Sequence, residues 1–160
     1  MNDVRGLLFV CLGNICRSPL AEGIFLHLAT ARGVRDRFDV DSCGIGHWHA
    51  GEQPDGRALA VAKRNGVKLP SLARQVDPKQ DGDRFDLLLA MDQSNHHALL
   101  KLGAPKEKVR LMRSFDPTLN DTKGEDLDVP DPYYGGADGF DRVFAMLERA
   151  CEGLLDDITK

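Results

Sequence analysis

The order of elements written into this 160-residue chain predicts an α/β fold, an open parallel sheet with helices on both faces. Three observations carry that expectation. Leu7-Leu8-Phe9-Val10 is a short apolar run that stops at a glycine-bearing loop and gives way to apolar residues at helical spacing. The strand-like segment Phe38-Asp39-Val40-Asp41-Ser42-Cys43 follows, and strand, helix, strand in so little chain implies a right-handed crossover and parallel pairing. Phe85-Asp86-Leu87-Leu88-Leu89-Ala90-Met91 is apolar almost throughout, as in a strand covered on both faces, and should be central.

The first helix is marked by Leu20, Ala21, Ile24, Phe25 and Leu28, with Ser18 placed as its cap, Pro19 at its first position and Gly33 near its end. The second strand alternates, with one wetter face, and closes at Gly44 and Gly46. The loop from Gly46 to Gly51 holds His47, Trp48 and His49 on the same rim as the loop after the first strand. Pro54-Asp55 opens a second helix through Ala58, Leu59, Val61 and Ala62, stopped by Gly66. Residues 67–84 are polar, carry Pro70, Pro78 and Gly82, and read as a surface loop. Asp92 caps a helix through Leu99, Leu100 and Leu102, ended by Gly103 and Pro105, and Val109 to Met112 is a fourth short strand. From Arg113 to Gly139 no period is sustained; a connection this long is usually functional or disordered, and Tyr133-Tyr134 favours function. Phe140, Val143, Phe144, Leu147, Cys151, Leu154, Leu155 and Ile158 make a long amphipathic helix.

Lysine and arginine total 21 against 25 aspartate and glutamate, a net charge of −4. That balance gives no footprint for nucleic acid or a membrane surface, so attraction for an anion must be local. The length suits one domain, 1–160, burying about 70% of the unfolded surface. Cysteines at 11, 16, 43 and 151 fit neither zinc knuckles nor a disulfide scaffold, and reduced thiols in the cytoplasm are expected. The N-terminal apolar run is too short for a signal peptide or membrane span. The histidines show no metal-ligand spacing; neither metal nor cofactor is expected, and His47, His49, His96 and His97 read as surface or packing residues.

Chemistry concentrates in Cys11-Leu12-Gly13-Asn14-Ile15-Cys16-Arg17-Ser18, at the junction between the first strand and first helix. Anions bind at such junctions, where loop amides turn inward and the helix start carries partial positive charge. Arg17 adds a planar fork that holds two phosphate oxygens at once. A thiol at the floor of an electropositive cup loses its proton readily, so Cys11 reads as a nucleophilic thiolate aimed at a captured phosphoryl group.

The pattern Cys, five residues, Arg, Ser at the very N-terminus, the wording C-L-G-N-I-C-R-S-P-L-A-E and the later Asp131-Pro132-Tyr133-Tyr134 resemble the low-molecular-weight protein tyrosine phosphatases over almost the whole chain. The resemblance implies a three-layer, flavodoxin-like fold with a four-stranded sheet in the order 2-1-3-4. It implies hydrolysis of phosphotyrosine and aryl phosphates through a cysteinyl-phosphate, with Cys11 as nucleophile, Arg17 as phosphate clamp beside the amides of residues 12–18, and Asp131 as general acid and base. Phosphotyrosine proteins would be the partners, a tyrosine kinase among them, and inorganic phosphate the product.

Several residues keep a plainer reading. Ser18 can cap the helix, donate to the Cys11 sulfur as the resemblance implies, or do both. Asn14 can simply tolerate a left-handed backbone; the resemblance implies that it also locks the loop by bonding Ser42. An aspartate before proline is often a turn residue, and Asp128, Asp126 and Asp116 compete with Asp131, Asp128 foremost. Trp48, Tyr133 and Tyr134 lie in glycine-bearing loops rather than periodic segments, which favours walls of an aryl slot over core, with Leu12 and Ile15 as apolar neighbours. Threonine takes the Ile15 position in relatives resembling phosphoarginine phosphatases, so isoleucine leans toward tyrosine. Cys16 is either packing or a partner that captures an oxidised Cys11 as a disulfide. Thioredoxin-coupled arsenate reductases resemble this fold but need further cysteines, and residues 67–108 contain none. A phosphopeptide-binding module needs neither nucleophile nor acid, and a sugar-phosphotransferase carrier typically lacks the arginine at position 17.

Overall fold

The computed structural model describes residues 3–119, 124–136 and 138–160. Four parallel strands, β1 (Gly6–Cys11), β2 (Asp39–Gly44), β3 (Leu87–Ala90) and β4 (Val109–Leu111), form one sheet in the order β2-β1-β3-β4. Because side chains alternate across a strand, Leu7, Phe9 and Cys11 enter one buried cluster while Leu8 and Val10 enter the other. The first cluster takes in α1 (Arg17–Ala31), α2 (Gly56–Arg64) and α5 (Gly139–Ile158), and the second takes in Leu99 of α4 (Gln93–Lys101). The result is the three-layer, flavodoxin-like arrangement. Strand order reverses at β1, whose last residue, Cys11, pairs with Gly44. Ligands of such sheets bind at the carboxyl ends of the strands, at this reversal.

Four expectations need correction. Ser18 is not the cap of α1: the helix begins at Arg17 with Cys16 as N-cap and no side chain capping it, which puts Pro19 third rather than first. Every residue of α1 from Arg17 to Phe25 is buried, since the helix lies between the sheet, α5 and the segment that follows α2, so a one-faced pattern understates its burial. Residues 67–84 are not a surface loop throughout. Asp77 accepts a hydrogen bond from Gln80 N at 3.1 Å and Pro78 begins a short helix, α3 (Pro78–Arg84), while Gly44 and Gln75 form an isolated parallel bridge. A seven-residue polar helix has no apolar period to read. Finally, β2 grades from exposed at Asp39 to buried at Ser42, Cys43 and Gly44, because it is an edge strand whose far end alone runs under the loops.

The other elements fall where their periodicity put them. Asp55 and Asp92 cap α2 and α4 through their carboxylates, and β1 and β3 share the interior of the sheet. The connection 113–139 is a series of 3-10 turns among its described residues, with 120–123 and 137 outside them. Among the described residues no helix is long and apolar enough to cross a membrane.

Gly153 lets α5 approach the carbonyl oxygen of Phe115, and a Cβ there would overlap that backbone atom. Alanine would return about 1 kcal/mol of helix propensity, but backbone cannot move aside cheaply, and overpacking costs about 1–3 kcal/mol or more. Gly153→Ala should therefore lower the urea midpoint rather than raise it.

Candidate active site

The cup is built by two backbone devices. Asn14 sits at φ 57°, the only non-glycine residue with positive φ among those described, which turns the chain sharply between Cys11 and Arg17. Gly44 makes room beneath: a Cβ there would stand 2.9 Å from Leu12 O and 3.1 Å from Gly13 C. The Asn14 amide then fixes the turn. Its Nδ2 donates to Ser18 Oγ at 2.7 Å and Ser42 Oγ at 3.1 Å, and its Oδ1 accepts from Arg74 N at 3.0 Å. Ser18 Oγ accepts from Asn14, lies 2.9 Å from the Cys11 sulfur and has its hydrogen available to that sulfur or to Cys43 O at 3.4 Å; Asn14 N reaches the same sulfur at 3.3 Å. Ser18 therefore sits against the thiol, and Ser42 braces the loop. Neither they nor the Asn14 side chain line the cavity; all are buried behind it.

The cavity above Cys11 has a volume of about 330 Å³. Cys11, Leu12, Gly13, Ile15, Cys16 and Arg17 form its floor, and Trp48, His49, Asp131, Tyr133 and Tyr134 its walls. Of the expected pocket residues all are present, but Trp48 and Tyr134 stand well out of the surface, at 63% and 89% exposure, as rims rather than closed walls. His49, expected only as a surface or packing residue, lies on the wall, its ring against Gly13 and its Nδ1 3.2 Å from the Glu52 carboxylate. Its place beside Trp48 on the rim loop was the available signal.

Arg17 is 3% exposed and its Nη1 donates to Asp92 Oδ2 at 2.7 Å and Val129 O at 2.9 Å. Burial works against its charge, and the Cys11 sulfur and Asp92 outweigh it, so its pKa rises above the usual arginine value. Asp92, read only as a helix cap, thus also orients the guanidinium; its position at the carboxyl end of an interior strand could have marked it. The Asp131 Oδ2 is 3.7 Å from Arg17 Nη2, and Oδ1 accepts from Tyr133 N at 3.0 Å. Two of the competing aspartates have their carboxylates occupied elsewhere. Asp128 accepts from Gln93 N, buried Asp116 accepts from Thr118 and Arg149, and the Asp126 carbonyl accepts from Arg113; none lines the cavity.

Behind the loop, Glu22 is 2% exposed and accepts from Ser42 Oγ at 2.7 Å and Ser71 Oγ at 2.6 Å. Burial raises its pKa, with the two hydroxyls opposing. A lone glutamate in a helix gives no sign of this in sequence. Cys16 borders the cavity, its thiol pushed up to about 12 by burial first, then by Asp55, Cys11 and Asp131. Cys43 and Cys151 are buried, and burial raises both. All four thiols are free. Among the described residues no three His, Cys, Asp or Glu side chains converge as metal ligands.

A helix start without a side-chain cap, a buried cation and a hydrogen-bonded sulfur at one strand end fit one class, cysteine-dependent enzymes acting on tetrahedral oxyanions. The model of the low molecular weight phosphotyrosine protein phosphatases matches residues 6–160, and the chain belongs to that family of hydrolases. It is 47% identical over 151 residues to a low molecular weight protein-tyrosine-phosphatase of Streptomyces coelicolor, covering 92% of this chain and 89% of that one. It also resembles the crystal structure of a protein tyrosine phosphatase from Entamoeba histolytica, with a TM-score of 0.87, 40% identity and 96% of each chain covered. The structure of a Drosophila arginine phosphatase is similar too, with a TM-score of 0.85 and 33% identity, covering 96% of this chain and 98% of that one. The fold alone therefore does not choose between those two leaving groups.

Two outcomes follow from the loop and the thiols. Asn14→Ala should cost about 1–3 kcal/mol in urea denaturation, since it leaves buried hydroxyls short of a donor. Asn14→Gly, which relieves the positive φ but not the lost bonds, should recover only part of it. With the other three thiols raised, Cys11→Ser protein should resist iodoacetamide at pH 8, and its alkylation should accelerate only as pH approaches 12.

Proposed function

We propose that the chain, a single catalytic domain over 1–160, hydrolyses phosphotyrosine in proteins through a phosphocysteine. The Cys11 sulfur attacks phosphorus while the bond to the phenolic oxygen breaks. Arg17 and the loop amides hold the three equatorial oxygens. Asp131 gives its proton to the departing oxygen, then takes one from the water that attacks the phosphocysteine, releasing inorganic phosphate and the Cys11 thiolate. The observation that carries this reading is the convergence of Cys11, Arg17 and Asp131, from opposite ends of the chain, on one cavity. None of these steps calls on a cofactor.

Tyrosine is favoured over arginine as the leaving group by the apolar Ile15 and Leu12 on the floor and by Trp48, Tyr133 and Tyr134 around the mouth, which offer faces to an aryl ring. Phosphotyrosine proteins, a tyrosine kinase among them, are the proposed partners, and four free cysteines suit a cytoplasmic setting. Cys16 is proposed to condense with a Cys11 sulfenic acid, forming the disulfide and releasing water. With its thiol held near pKa 12, that capture is slow at neutral pH and faster in alkali.

Asp131→Ala should lower turnover of a phosphotyrosine peptide by about 10² to 10⁴, the usual worth of a placed acid, while phosphate still inhibits at its parental concentration. Cys11→Ser should abolish it. Parental turnover in Asp131→Ala would remove the acid assignment, and faster release from phosphoarginine than from phosphotyrosine would reverse the substrate. After peroxide, a Cys16→Ser variant should regain less activity with dithiothreitol than the parent; equal recovery would end the protective role.

A further inference from the structure

Arg57, in the first turn of α2, makes contacts that this chemistry leaves unused. Its Nε and Nη2 each donate to the Asp55 carboxylate at 3.0 Å, and its Nη1 donates to Tyr133 O at 3.1 Å. The guanidinium carbon lies 5.2 Å from the Tyr133 ring centroid and 4.8 Å from that of Phe140. Asp55 in turn donates its backbone N–H to Ile15 O at 2.8 Å, inside the loop that carries Cys11 and Arg17. The Arg57 partnership, first by hydrogen bond, holds the Asp55 carboxyl below the usual carboxylate range. One ion pair therefore ties the nucleophile loop to the turn Pro132–Tyr134.

That turn holds the acid. The Asp131 carboxylate is bonded to Tyr133 N, so whatever fixes Tyr133 fixes Asp131. Ahead of Asp131 the segment is pinned by Val129 N on Met91 O at 2.8 Å and by Arg17 and Arg113 on the carbonyls of Val129 and Asp128. Beyond it, Pro132 packs against the start of α5, an apolar contact with little directional content, and Arg57 supplies the directed bond. Exposed ion pairs generally contribute little stability; the effect of this one lies in geometry. We propose that Arg57, gripped by Asp55, is a positioning residue that sets the Asp131 carboxyl over the cup. The proposal rests on Asp131 being the general acid.

An acid matters more as the leaving phenol becomes more basic, so the test is a series of aryl phosphates from p-nitrophenyl phosphate to phenyl phosphate and phosphotyrosine. Arg57→Ala should lower kcat/KM for phosphotyrosine by about 10- to 100-fold, the scale of an ångström-sized misplacement. The loss should be smaller for p-nitrophenyl phosphate, and inhibition by phosphate and the melting temperature should stay parental. Arg57→Lys should not restore the rate, because an ammonium cannot hold a carboxylate and a carbonyl in one plane. In the Asp131→Ala background Arg57→Ala should add nothing further. Equal losses across the series, additivity with Asp131→Ala, or full rescue by lysine would overturn the proposal. Parental activity in Asp131→Ala itself would remove the acid assignment and the strap with it, whereas Arg57→Ala failing to act while Asp131→Ala is impaired would sink the strap alone.

Discussion

A guanidinium with 3% of its surface exposed stays charged only if the protein replaces the water it has lost. Arg17 obtains that replacement from Asp92 at the end of β3, from the Val129 carbonyl in the long connection and, at 3.7 Å, from Asp131. Two segments far from it in sequence are thus held around one cation. Buried ion pairs rarely repay their desolvation in stability, so the charge is better understood through what it leaves over. The cavity side of the fork remains available to an oxyanion, and its charge acts there in surroundings that screen it weakly.

The sulfur is fixed by a different set of groups with a definite polarity. Asn14 Nδ2 spends both hydrogens on Ser18 and Ser42, which leaves the Ser18 hydrogen for Cys11 or the Cys43 carbonyl and the Ser42 hydrogen for Glu22. Glu22, at the end, accepts from Ser42 and Ser71, which is why a carboxyl can sit at 2% exposure without a close cation. The cup therefore has two supports, a charged one beneath the phosphoryl site and a hydroxyl-amide one beneath the nucleophile.

How legible this was depended on what kind of interaction each residue makes. Apolar period and helix caps are local, and they placed the strands, α2, α4 and α5. The loop motif is local too, and so Cys11, Arg17, Asn14 and Ser18 could be named. Asp92 and Arg74 reach the site through Arg17 and Asn14, 75 and 60 positions away, and Glu22 reaches it through Ser42 and Ser71, 20 and 49 positions away, separations that no local spacing reveals. Ser18 was legible in type and misplaced in position, because the strand-to-helix loop is two residues tighter than a serine cap would make it. The helix α3 was lost because its stabilisation is polar, Arg74 gripping buried Asp81, and polar pairing has no period.

The two thiols of the loop show how environment separates chemically identical groups. Cys16 is the N-cap of α1, a position where a helix start favours a thiolate. Its pKa nevertheless goes up to about 12, since burial and the carboxylates of Asp55 and Asp131 outweigh the helix. Asp55 is the same group that grips Arg57, so one carboxylate both holds the guanidinium bonded to Tyr133 O and keeps the neighbouring thiol protonated. Cys11 has Arg17, a serine hydroxyl and a backbone N–H around its sulfur. The second thiol is thereby held neutral beside the sulfur that faces the anion cup.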